Sequence, residues 1–208
     1  MKILNLYAGL GGNRKLWPGH CDVTAVELDP KIAKVYQKLN PNDKVIVGDA
    51  HKYLLEHFSE FDLIWSSPPC QSHTKMIRSG RNRKPRFPNM SLYEEILFLK
   101  YNFNGKWVVE NVKPYYEPFL NPKEIGRHLI WSNCNISNFN QKNIPGFIIK
   151  CNSSGAEQLK QWLGLNYSGN IYYNGNHDPA QVLRNCVHPN MGLHIFKELA
   201  KWDEETNQ

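Results

Sequence analysis

Short apolar runs recur along the first half of the chain, each closed by Gly, Asp, Pro or Glu. Ile3–Tyr7 ends at Ala8-Gly9. Val23–Val26 and Val45–Val47 follow, the latter ending at Gly48-Asp49. Phe61–Trp65 stops at Ser67-Pro68-Pro69, and Trp107–Val109 runs into Glu110. Runs of this length, rich in β-branched and aromatic residues, predict strands. Between them the spacing predicts helices over 31–39, 51–57 and 91–101. Asp29 caps the first, with Pro30 in its opening turn. Ser91 caps the third, with Glu94 completing a capping box. Strand and helix in alternation predict an α/β fold with a doubly wound, mostly parallel sheet. Ligands bind beyond the C-terminal ends of such strands, and Gly9, Glu27, Asp49, Cys70 and Glu110 all fall there. The pattern weakens after residue 134. Residues 135–176 are rich in Asn, Gly and Tyr, which predicts a small loop-rich insertion. A last helix over 190–202 returns to the sheet. The expected division is a main body of residues 1–133 and 180–208, with 134–179 inserted.

Composition narrows the class. The 208 residues, 41% hydrophobic and 21% charged, suit one medium domain with a small appendage. No run of 18 apolar residues occurs, so no membrane span is expected. The apolar start at residues 1–12 breaks at Gly and Asn and reads as a strand, not a leader, so the expected location is cytoplasmic. The cysteines are Cys21, Cys70, Cys134, Cys151 and Cys186. Their number is odd and no C-x-x-C pair occurs, which argues against a disulfide framework or a metal site. The formal net charge is +6. Lys75, Arg78, Arg81, Arg83, Lys84 and Arg86 carry that same total with no acid among them, so the rest of the chain is neutral. A basic run directly after Cys70 points to phosphate contact.

Two ends of a candidate site can be read from residue types. After the first strand comes Gly9-x-Gly11-Gly12, which lacks the full G-x-G-x-x-G of a pyrophosphate binder. Glu27 can accept from two ribose hydroxyls, and Asp49 from an adenine amino group. Together they suit an adenosine without a pyrophosphate, as in S-adenosyl-L-methionine. At the other end, Pro68 and Pro69 fix two φ angles before Cys70, so the thiol is held in place in advance. A thiolate added to carbon 6 of cytosine makes carbon 5 enamine-like and able to take a methyl group. Charge then builds at ring nitrogen 3, where the Glu110 carboxyl can meet it. Asn111 can orient the loop or the base. Arg127 can bind the base carbonyl or lower the thiol's pKa.

These stretches resemble the motifs of the cytosine-C5 DNA methyltransferases. LYAGLGG (6–12) is similar to D-L-F-A-G-x-G-G, with Asn5 in the place of Asp. VELDP (26–30) and GDA (48–50) resemble cofactor motifs. SPPCQ (67–71) resembles the P-C nucleophile motif, and ENV (110–112) is the carboxylate motif unchanged. RNCV (184–187) resembles G-N-S-V. The likeness spans roughly 1–132 and 180–200. It implies a Rossmann-like, SAM-dependent fold whose cofactor is S-adenosyl-L-methionine. Tyr7, Ala8, Gly9, Gly11, Gly12, Glu27, Leu28, Asp49, Ala50, Pro68 and Asn185 would bind that cofactor. It also implies catalysis by Cys70, Glu110, Asn111 and Arg127 on a flipped base of double-stranded DNA. Gln71, Lys75, Arg78, Arg81, Arg83, Lys84 and Arg86 would lie on nucleic acid. Residues 134–179 would be a reduced target-recognition region, in the compact layout of phage-encoded members, and the protein a monomer. Two departures stand out. The family's Q-x-R-x-R is degraded to Glu124, Gly126, Arg127 and His128, with Arg127 the stand-in. Arg184 replaces a glycine, and facing the methyl pocket it would favour a donor with an extra carboxylate. The alternatives are a tRNA cytosine-C5 methyltransferase and a non-catalytic DNA-binding homologue. An amino-group methyltransferase would need an aromatic residue where Cys70 stands. A nicotinamide enzyme would need a fuller glycine pattern.

Overall fold

A computed structural model describes residues 1–75, 87–140, 153–173 and 175–206, the last six by backbone alone. Seven strands form one sheet: β1 (Lys2–Leu6), β2 (Asp22–Glu27), β3 (Lys44–Val47), β4 (Leu63–Ser66), β5 (Lys106–Val112), β6 (Lys123–Ile125) and β7 (His128–Ser132). The spatial order is β3-β2-β1-β4-β5-β7-β6. The first five run parallel, whereas β7 pairs antiparallel with both β5 and β6. The β6–β7 hairpin has no counterpart in the apolar pattern, because β6 is three residues long and only one of them is buried.

Period-two alternation explains the two faces. Leu4, Leu6, Ile64, Trp107 and Val109 pack on one side with Leu54, Ile96 and Leu99. These come from α2 (Ala50–His57) and α3 (Ser91–Asn102). Ile3, Val23, Trp65 and Val108 pack on the other with Met191, Ile195 and Leu199 of α6 (Pro189–Thr206). Tyr36 of α1 (Pro30–Leu39) closes the same side over Ala25. Asp29 caps α1 as expected, Oδ1 accepting from the Lys31 amide at 2.8 Å. The capping box at Ser91 does not form. Met90 holds the cap position in a helical conformation, and Asn89 takes over by accepting from the Ser91 amide at 3.1 Å.

Past residue 152 the structure holds a helix the sequence pattern did not reveal, α4 (Ser153–Leu163). Ala156, Leu159 and Leu163 lie on one stripe and pack with Leu10, Ile32 and Leu183. Leu183 belongs to the single turn α5 (Gln181–Arg184). The α4 stripe is therefore fastened to the main body beside α1.

The loop after β1 is wedged tightly. A Cβ on Gly12 would lie 2.4 Å from the Val187 carbonyl, and one on Gly11 2.7 Å from the Tyr36 ring. Gly12→Ala is expected to cost about 1–3 kcal/mol, as overpacking does. Urea unfolding of the variant measures it, and an unchanged midpoint refutes the tight fit.

Candidate active site

Proline decides where the candidate nucleophile, Cys70, stands. Without N–H groups, Pro68 and Pro69 cannot continue the β4 ladder, which ends at Ser66↔Val109. The chain leaves the sheet, and Cys70 begins a turn in which its carbonyl accepts from the His73 and Thr74 amides, both at 3.0 Å. His73 Nδ1 lies 2.6 Å from the Tyr116 hydroxyl, and the His73 carbonyl accepts from the Tyr115 amide at 3.0 Å. The thiol is thus anchored on both sides along the chain.

Glu110 lies on the neighbouring strand. It does not end β5, since the strand continues to Val112 against β7, but the parallel ladder with β4 stops one residue before it. Asn111 joins the two segments. Its Nδ2 donates to the Pro68 carbonyl at 3.0 Å, and its Oδ1 accepts from the Val112 amide at 2.9 Å. One buried amide side chain therefore sets the spacing between the Cys70 turn and the Glu110 carboxylate.

The two groups sense each other. Burial pushes the Cys70 thiol above its ordinary pKa, the Glu110 charge pushes the same way, and Arg127 opposes them. Burial alone would also raise Glu110. The proximity of His128, hydrogen bonds from His128 and Ser67, and the Arg127 charge outweigh it and hold the carboxyl below the usual range. The resting site therefore holds a thiol and a carboxylate.

His128 was within the degraded motif, but only Arg127 was nominated from sequence. Strand alternation decides between them. Glu110 stands opposite Ile130 in the β5–β7 register, so His128, two residues away, shares its face. Nδ1 of His128 bonds Oε1 of Glu110. Arg127 is exposed. Its Nε donates to His128 Nε2 at 3.1 Å and its Nη2 to the Arg184 carbonyl at 2.9 Å. The Arg184 side chain is not an unclaimed cation. It is paired with Asp178, so the expectation of a carboxylated donor loses its basis.

At the nucleotide end, Gly9 has φ +54° and open space where a Cβ would be. Its amide donates to Glu27 Oε2 at 2.9 Å, and Glu27 Oε1 accepts from the Asp29 amide at 2.9 Å. Asp49 caps α2, Oδ1 accepting from the Lys52 amide at 3.0 Å. Each carboxylate retains lone pairs for a ligand hydroxyl or amino group. Leu28, 71% exposed, offers an apolar face beside them. Ala8 and Ala50 are buried, as is Pro68. Gly11 and Gly12 use their missing Cβ against Tyr36 and Val187, so their smallness serves packing. Asn5, the departure from the usual Asp, is buried and accepts from Asn13 Nδ2 at 2.8 Å.

Two side chains that sequence reasoning passed over, Glu95 and Tyr173, complete this region beside Tyr7. Tyr7, at φ 55°, donates its hydroxyl to Glu95 Oε1 at 2.5 Å. Glu95 is fully buried on α3. It also accepts from Ser66 Oγ at 2.7 Å and meets His51 Nδ1 at 3.0 Å. That carboxylate ties together the loop after β1, the start of α2 and the end of β4. Tyr173, from the inserted region, accepts from Asn185 Nδ2 at 3.1 Å. Burial raises its phenol pKa, Asn185 opposes the rise, and Cys186, Glu27 and Cys70 add to it. The aromatic pair Tyr172-Tyr173 inside a polar segment was the available signal. Gln71 and Lys75 are exposed just past Cys70. Arg78, Arg81, Arg83, Lys84 and Arg86 lie outside the described residues.

Residues 1–117 match the C-5 cytosine-specific DNA methylase family. The chain belongs to that family. Human tRNA (cytosine(38)-C(5))-methyltransferase is 27% identical over 121 residues, covering 55% of this chain and 31% of that protein. The rat enzyme of the same name is 28% identical over 123 residues. This methylase-family chain therefore spans about a third of the length of these relatives. Among solved structures, a DNMT2 variant from Spodoptera frugiperda is 26% identical, with TM-score 0.39, over 54% of this chain and 35% of that one. A conserved protein of Streptococcus pyogenes gives TM-score 0.43 at 17% identity, over 63% and 83%. The cofactor of that family is S-adenosyl-L-methionine. The donor set found here fits it: acceptors at Glu27 and Asp49, an open backbone at Gly9, and no completed pyrophosphate cradle. Among the described residues no helix is long and apolar enough to cross a membrane.

Proposed function

We propose that this chain methylates carbon 5 of cytosine in DNA, through a covalent bond between Cys70 and carbon 6 of a base turned out of the helix. What supports this is the Asn111–Pro68 hydrogen bond at 3.0 Å, which holds the nucleophile turn against the strand carrying Glu110. One pyrimidine ring can then meet both side chains.

The resting protonation states fit the chemistry. As sulfur bonds to carbon 6, the C5=C6 pair moves to C4–C5 and the C4=N3 pair moves onto nitrogen 3. The proton lost from the thiol balances the one gained by nitrogen 3, and Glu110 is the adjacent base able to take and return it. S-adenosyl-L-methionine supplies an electrophilic methyl group on a sulfonium. Glu27 and Asp49 would hold its ribose and adenine, Leu28 would cover the ring, and Gly9 would leave room for the chain. Gln71, Lys75 and the basic stretch to Arg86 would hold phosphates. Residues 134–179 would be the reduced target-recognition region.

Transfer to tRNA is the second reading, favoured by the names of the human and rat relatives. Radiolabelled methyl transfer to duplex DNA and to tRNA, run in parallel, separates them. Label on DNA that bisulfite sequencing places at cytosine is the expected result. Label on tRNA alone would replace DNA as substrate, and no transfer to either would reject the proposal.

A further inference from the structure

We propose that His128 is a positioning residue of the reaction centre. It grips one oxygen of Glu110 so that the other addresses nitrogen 3 of the target ring, and Arg127 sets the tautomer of its imidazole. This rests on the cytosine-C5 reading above.

Hydrogen-bond roles fix the tautomer. The Arg127 Nε–H can only donate, and its partner is His128 Nε2 at 3.1 Å. That nitrogen is therefore the acceptor, which leaves Nδ1 as the ring's donor. Nδ1 faces Glu110 Oε1. The bond is therefore donated by histidine to carboxylate, not by a carboxylic acid to histidine. Both partners are enclosed, with His128 7% and Glu110 6% exposed. Water does not compete well for Oε1 there, and a charge-assisted bond in such surroundings is strong and directional.

The consequence is geometric. A carboxylate on a Glu side chain rotates about its last torsion unless one oxygen is tied. With Oε1 tied, Oε2 is directed and needs no search when the ring arrives, which is preorganisation toward developing charge. Arg127 is itself anchored, through Nη2, to the Arg184 carbonyl at 2.9 Å. The chain of contacts thus runs from the last turn of α5 through Arg127 and His128 to Glu110. Ser67 and Arg127 also act on Glu110, so His128 shares the work of keeping the carboxyl ionised.

The test compares H128L, H128N and E110Q with the double variant H128L/E110Q. H128L removes the donor and keeps the bulk. H128N returns an amide donor near the position of Nδ1. H128L is expected to lower kcat about 10²-fold, with KM for nucleic acid and Kd for S-adenosyl-L-methionine changed by less than about threefold. H128N is expected to recover most of the loss. Because His128 acts through Glu110, the double variant should fall no further than E110Q alone. Additive losses, or an H128L kcat equal to wild type, would overturn the proposal. Cys70 alkylation by iodoacetamide gives a second readout that needs no substrate. Loss of the His128 hydrogen bond lets burial raise Glu110, weakening its opposition to the thiolate. H128L should therefore alkylate faster than wild type, toward the E110Q rate. A rate equal to wild type rejects the contact. A wild-type enzyme inactive on every nucleic acid would fail the cytosine reading instead, and the alkylation result would still judge His128.

Discussion

Replacing Cys70 by alanine is expected to lower methyl transfer on the order of 10⁴-fold or more, to background. The size follows from its place in the proposed chemistry. Without sulfur on carbon 6, carbon 5 stays part of an aromatic ring and is a poor nucleophile, and among the described residues no other cysteine stands in the 68–74 turn. Cys186 is buried and its thiol is pushed up to about 12. The fold should survive the change. The turn at residues 70–74 is held through the Cys70 carbonyl, which alanine keeps, and the side chain is only partly enclosed. The measurement is transfer of label, paired with trapping on nucleic acid containing 5-fluorocytosine. Fluorine at carbon 5 leaves no proton to remove after methylation, so the sulfur–carbon bond persists and the adduct runs as a shifted band. Wild type should give that band and Cys70→Ala should not. A band that survives the substitution would mean that another residue is the nucleophile.

The second large effect carries opposite signs in two assays. Glu110→Gln should cut kcat by about 10²–10⁴-fold, because an amide can neither take nor return a proton at nitrogen 3. The same change should make Cys70 more reactive toward iodoacetamide. The Glu110 charge raises the thiol pKa, and removing it increases the thiolate fraction at pH 8. In wild type, alkylation should be slow at neutral pH and climb as pH passes the raised thiol value, and in the variant that climb should begin at lower pH. Peptide mapping assigns the label, since Cys21 and Cys134 are also partly exposed. Slower methylation together with slower alkylation would indicate a disturbed turn, and would disqualify the assignment of Glu110 as the proton-handling group.

Much of this site was legible from local spacing. Two prolines before Cys70, a Glu-Asn pair after the next apolar run, and acids after the second and third runs need only chain order and the rule that parallel strands present their ends together. The role of Asn111 was legible only as a choice between loop and base. The bond to the Pro68 carbonyl selects the loop, because that partner is 43 residues away and meets Asn111 only once β4 and β5 lie side by side.

What the sequence by itself determined, then, was the parallel core from β1 to β5, the break after β4 that precedes Cys70, the placing of Glu110 along β5, and the family motifs around them. Periods of two and 3.6 are local quantities that survive without knowledge of partners. Only the tertiary structure decided which residue faces Glu110. The β5–β7 register puts His128 on that face, and a shift of one residue would have put Arg127 there. It also gave the charge of Arg184 to Asp178, brought Tyr173 against Asn185, and built α4 on a stripe of three apolar residues. These outcomes depend on contacts between positions far apart in the chain, where side-chain identity says what can pair but not what will be adjacent.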